Sequence, residues 1–194
     1  MSSALDIASI GDSLLPDSIK PIGFDSWEKE TWDQYLTRLH IPDDFANRQF
    51  YRQVVYDHFD HFNEHYPDFK IENYTIKVLV MTAKEANESI RFFNGEVMDW
   101  WAQQYDEFEM KNQDYVVFRS MSQTLTFPFP PILLDPAISK GAGRLTCGRP
   151  LHLVEGTHRV SYLRHMLERG TVKPESQHQF ILLSPLNMDM EDSE

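Results

Sequence analysis

The chain holds one cysteine, Cys147, in 194 residues, so no disulfide can close within it, and neither a CxxC pair nor a Cys/His zinc spacing is present. A disulfide scaffold is excluded, and a reducing compartment is the expected setting. Long apolar runs are also lacking. The longest clean ones, such as Val78-Leu79-Val80-Met81, fall far short of the roughly 20 residues of a membrane-spanning helix, and the start MSSALDIASIGDSLLPD lacks the basic opening of a secretion signal. A cytoplasmic protein without membrane contact is expected. Basic residues are scarce: 18 Lys and Arg stand against 30 Asp and Glu, a net charge of −12, and none precedes Lys20. That balance repels a phosphate backbone unless cations gather on one face, so direct DNA binding is not expected.

What is present is globular: 41% hydrophobic and 13% aromatic residues suffice for one full core. Residues 1–20, rich in Ser and Asp and without sustained period, read as a flexible arm in which Leu14-Leu15 could dock locally. Asp25 and Glu28 offer a capping box for a helix through WEKETWDQYLTRLH. Pro42, Asp43 and Asp44 begin a second helix, whose stripe Phe45, Phe50, Val54, Val55, Phe59, Phe62 and Tyr66 stops at Pro67. Residues 21–70 are thus a helical N-terminal region.

From residue 71 to 185 the pattern turns α/β. Residues 74–81 are rich in β-branched side chains and read as a strand, and Thr82 with Glu85 forms a capping box for the following helix. Gly95 reads as that helix's stop, EVMDWWAQQYDEF as another helix, and Tyr115-Val116-Val117-Phe118 as a strand. Further strands are expected at Ile132–Leu134, Leu151–Val154 and 179–183, with a helix from Val160 to Gly170 and a glycine-rich loop at 139–148. Residues 186–194 form an acidic tail, with four carboxylates and no base in the last six positions. The expected fold is α/β or α+β: a mixed sheet of about four or five strands capped by the N-terminal helices. Val78, Val80, Ile132, Leu134, Leu153, Leu163, Leu167, Phe180 and Leu182 are its expected core.

The strongest chemical signal is Glu155-Gly156-Thr157-His158-Arg159, at a strand-to-helix turn. Glycine lets backbone approach a ligand closely, and the helix N-terminus directs free N–H groups and a positive dipole at an anion. Thr157 adds a hydroxyl, His158 a ring donor, and Arg159 a fork for phosphate oxygens. The alternative is a structural corner, with Glu155 capping the turn, His158 bonding a carbonyl and Arg159 pairing with an acidic neighbour.

The segments PPILLD, LHLVEGTHRVSYLRHML and HQFILL together resemble the ParB/sulfiredoxin-like superfamily, in element order over residues 74–184 and in motif over 130–135 and 151–183. The resemblance implies a ParB/sulfiredoxin-like domain over 71–185 in which Gly156, Thr157, His158 and Arg159 bind nucleotide phosphates or another phosphorylated small molecule. Thr157 stands where sulfiredoxins carry their reactive cysteine, and Cys147 in the preceding loop does not replace it, so sulfinic-acid reduction is not expected. No helix-turn-helix follows the motif, which argues against a chromosome-partitioning clamp.

Two functions are therefore expected in turn. The first is a nucleotide-binding protein (ATP, ADP or CTP, with Mg²⁺), a phosphotransferase or nucleotide hydrolase. In it Glu155 serves as Mg²⁺ contact or general base, Arg159 stabilises developing charge, and Asp135 lies nearby. The second is a catalytically inactive acidic factor of inhibitor, antitoxin or immunity type that binds a basic protein through exposed aromatics.

His58, His61 and His65 share a face of an ideal helix, with Asp57 and Glu64 nearby. Three ligands spread along two turns do not converge on one ion, so the stripe reads as solvated or partner-facing and no metal site is assigned. Trp27 with Trp32, and Trp100 with Trp101, read as packing, with exposure of one of each pair as the alternative.

Overall fold

Alternation within three central strands divides the molecule into layers. In the computed structural model, which describes residues 15–67, 69–137 and 146–186, five strands form one mixed sheet: β1 (Tyr74–Thr82), β2 (Ile90–Arg91), β3 (Ile132–Leu134), β4 (Leu151–Glu155) and β5 (Gln177–Pro185), in the order β1-β5-β3-β4-β2. β1 runs antiparallel to β5 and β3 antiparallel to β4, whereas β3–β5 and β2–β4 are parallel. Side chains two apart share a face. Ile132, Leu134, Ile181 and Leu183 therefore pack into one apolar cluster, and Leu133, Leu153, Phe180 and Leu182 into a second.

The first cluster is covered by the N-terminal helices α1 (Trp32–Leu39), α2 (Phe45–Phe50) and α3 (Asp57–His65), with Tyr35, Phe50, Phe59, Phe62 and the adjoining Tyr66 buried against the sheet. The second lies under α4 (Ala83–Ser89), α5 (Gly95–Lys111), α6 (Val116–Thr124) and α7 (Thr157–Glu168), through Ala86, Met98, Phe118, Leu163 and others. A mixed α/β sheet with a helical cap is thus what the chain forms. Among the described residues no helix is long and apolar enough to cross a membrane.

Several local readings are corrected. Residues 115–118 are not a strand: Tyr115 is the N-cap of α6, and Phe118 and Met121, three apart, bury one helical face. A four-residue β-prone run is overridden when the apolar spacing continues at helical intervals. Gly95 begins α5 rather than ending α4, because Asn94 caps α5 through the Glu96 N–H and the chain between forms β2 beside β4. The first helix opens at Trp32 on a Thr31/Gln34 capping box, not at Asp25, whose φ is 61°. The Thr82/Glu85 box is present as expected.

Val78 and Val80 are not core; they are 43% and 50% exposed because β1 is an edge strand paired only with β5. Leu167 is only partly buried, against the second cluster. Of the N-terminal arm, residues 15–20 pack: Leu15 is buried, its N–H donates to Asn63 Oδ1 at 2.9 Å, and Asp17–Ile19 form a 3₁₀ turn. Residues 1–14, the tail from 187 and loop positions 139–145 lie outside the described residues.

Candidate functional site

The stripe that reads as one helix from Asp44 to Tyr66 is broken in the middle. After α2, capped by Asp44 on the Asn47 N–H, residues Tyr51–Tyr56 take a π-helical turn, and His58 has non-helical φ −135° and ψ 32°. The wider turn rotates α3 relative to α2. Gln53 is buried within it and lines the space beside β4, while α3 presents His61 and His65 along one side.

Opposite α3, β4 ends at Glu155 and the chain turns through Gly156, whose φ of 107° is glycine's territory, into α7. A Cβ at 156 would stand 2.9 Å from Pro131 Cβ and 3.0 Å from Arg159 Nη2, so the turn is tight as well as left-handed. No side chain caps α7. Its first N–H groups have no intrahelical partner and carry the positive end of the helix dipole.

Between the two elements lies a cleft of about 120 Å³. Its polar lining includes His58, His61 and His65 from one side and Glu155 and Thr157 from the other, over a floor that includes Phe62, Phe92, Phe93 and Val154. The structure thus brings together two features the sequence offers separately, the histidine stripe and the glycine turn.

It also separates the motif's own residues. Glu155 and Thr157 face the cleft, whereas His158 and Arg159 do not line it. Arg159 is almost wholly buried: Nη1 donates to Gln53 Oε1 at 2.7 Å, to Phe129 O at 2.9 Å and to Pro130 O at 3.3 Å, Nη2 lies 3.2 Å from Glu155 Oε1, and the guanidinium sits over the Phe129 ring. Its fork holds the corner together. His158 is inserted between Trp101 and Tyr115, with Nδ1 bonded to the Tyr115 hydroxyl, and burial with the neighbouring Arg159 charge pushes its pKa down to about 4. It is neutral at ordinary pH. Asp135 accepts the Ala137 N–H at 3.1 Å and stays outside the cleft lining. Cys147 is buried in the first cluster.

Three contributors have little or no signal in the sequence. Gln53 sits on an otherwise apolar stripe, and only the π turn shows where it points. His152 on β4 is fully buried beneath Phe92 and Phe93; its Nδ1 accepts the Gly148 N–H at 3.0 Å, so Nε2–H faces the Tyr66 hydroxyl at 2.8 Å, and burial lowers its pKa to about 4. Glu64 completes a group with His61 and His65 whose ligand atoms all lie within 4.8 Å of one another. The i, i+4 spacing of His61 and His65, which sets two imidazoles on one helix face, is the available signal for that group. His58, beyond the backbone break, is not part of it.

Comparison with protein-family models, with curated proteins and with solved structures gives no match to this chain.

Proposed function

We propose that the cleft between α3 and the β4–α7 turn binds a phosphorylated small molecule, with a nucleotide (ATP, ADP or CTP) as the class suggested by the resemblance to ParB-like proteins. The observation that carries this reading is the uncapped start of α7 opening at a cleft wall, with Thr157 lining it. Backbone N–H groups there favour an anion without needing a lysine or arginine beside it. The cleft suits a phosphate-sized group, and the rest of a nucleotide would lie beyond its enclosed part.

In this reading Thr157, at the first position of α7, holds the phosphate through its hydroxyl and its backbone N–H. Among the described residues, Glu155 is the sole carboxylate lining the cleft. Arg159 engages it only through Oε1, so it is the group to contact a ligand-borne Mg²⁺, or to accept a proton from an attacking water or hydroxyl in a phosphotransferase or hydrolase. Arg159 becomes a positioning residue, fixing Glu155 and the turn. A thermal-shift series with ATP, ADP, CTP and inorganic phosphate, with and without Mg²⁺, tests the reading: at least one raises the melting temperature in a concentration-dependent way. If none does, the reading fails.

A second reading, an acidic factor that binds a basic protein, is favoured by two tryptophans: Trp27 is 91% exposed and Trp100 51% exposed. Exposed aromatics are the usual anchors of an interface. A salt-sensitive complex with a basic partner, weakened by Trp27→Ala or Trp100→Ala, would support it; a complex indifferent to both would not.

A further inference from the structure

The wall of the cleft formed by α3 has chemistry of its own, independent of any phosphate. Residues 61 and 65 are one α-helical turn apart, which places two imidazoles side by side; their ring centroids are 4.2 Å apart. The His65 ring is already oriented. Its Nδ1 lies 2.8 Å from the His61 carbonyl oxygen, and because a carbonyl can only accept, Nδ1 carries the hydrogen and Nε2 carries the lone pair. A metal-bound histidine usually shows that arrangement, its second nitrogen donating to a carbonyl or carboxylate. Glu64, between them in sequence, is exposed and makes no ion pair among the described residues.

We propose that His61, Glu64 and His65 bind one zinc-class divalent ion. Their ligand atoms lie within 4.8 Å of one another, and tetrahedral bonds of about 2.0–2.2 Å bring ligands to roughly 3.3 Å. Small side-chain rotations close that gap, and His61 and Glu64 are free to make them because both are exposed. Two imidazole nitrogens and one carboxylate suit zinc and its neighbours, whereas Mg²⁺ and Ca²⁺ prefer all-oxygen sites. His61 and His65 line the cleft that Glu155 and Thr157 also line, and three protein ligands leave a fourth coordination position unfilled. Three protein ligands and one open position is the arrangement of a site that takes water or a ligand oxygen.

The test is calorimetric titration of Zn²⁺ into the chelator-treated full chain, without phosphate. One ion per chain binds, and His61→Ala lowers the affinity at least about tenfold while leaving the circular dichroism spectrum unchanged. His65→Ala does the same, and Glu64→Gln weakens binding without touching either imidazole. His58→Ala binds as the parent does. Absence of zinc binding at micromolar concentration, or binding by the His61 and His65 variants equal to the parent's, overturns the site and marks the stripe as a solvated face. Neither outcome bears on phosphate binding, which is read with phosphate ligands and no zinc.

Discussion

Gln53 and Arg159, 106 residues apart, meet in the buried angle between the N-terminal helices and the β4–α7 turn, Oε1 to Nη1 at 2.7 Å. Gln53 also donates through Nε2 to Pro130 O at 3.1 Å, so one amide closes a ring with the arginine and the strand-entry carbonyls. The helical cap and the candidate site are therefore coupled. Replacing Arg159 with Met removes the donor to the Phe129 carbonyl, Gln53 Oε1 and Glu155 Oε1 and leaves the Pro130 carbonyl with Gln53 Nε2 alone, and a loss of about 3 kcal/mol is expected. Gln53→Ala costs less, about 1–2 kcal/mol. Urea unfolding of both variants measures this, and unchanged midpoints would remove the network from the account.

Gly156→Ala meets two obstacles at once, a φ of 107° and a Cβ 2.9 Å from Pro131 Cβ. A destabilisation of at least about 2 kcal/mol is expected, whereas Gly95→Ala, at a helix start with open space around it, is neutral or slightly stabilising. A thermal melt of the pair separates the two cases.

His152 sets an acid limit. Its pKa is about 4 in the folded protein, against an ordinary 6.5, and His158 is lowered to about 4 as well. The unfolded chain takes up these protons first as the pH falls. Stability from the neutral rings is complete above about pH 6.5 and is lost progressively toward pH 4. For the fully buried His152 the loss is on the order of 3 kcal/mol. Urea midpoints at pH 7.5, 5.5 and 4.5 should fall in that order, and a flat profile would contradict the buried neutral assignment.

Val80→Thr, on the exposed edge strand, should change stability by less than about 0.5 kcal/mol, whereas Leu133→Ala, fully buried in the sheet centre, should cost about 2–5 kcal/mol. Equal effects would mean that β1 is covered in solution.

The layers are legible because the central strands are bounded by Pro, Gly and Asp and carry no competing period. Ile132–Leu134 and Leu151–Glu155 emerge close to where the sequence puts them. The edge is not legible, since Val78 and Val80 have the same composition as a central strand and only the sheet order exposes them. At the site, Gly156 and a helix start after it can be read from a strand-turn-helix pattern, but α7 opens at Thr157, three residues before the Val160 that the sequence suggests, because Gly156 itself is the N-cap. The partners of Arg159 cannot, because Gln53, Phe129 and Pro130 reach it from distant parts of the chain. The sequence places the histidine stripe on an ideal helix. The π turn and the break at His58 regroup it, leaving His61 with Glu64 and His65.

The most direct measurement is titration calorimetry of ATP, CTP and inorganic phosphate into the parent chain and into Thr157→Asp. A carboxylate in the first turn of α7 complements the helix dipole, so the variant keeps or gains stability, yet it places a negative charge where the phosphate would sit. The account predicts binding by the parent to at least one of these ligands and a loss of at least about tenfold in the variant, equivalent to ~1.4 kcal/mol, with no fall in melting temperature. No binding by the parent, or equal binding by a well-folded Thr157→Asp, contradicts it.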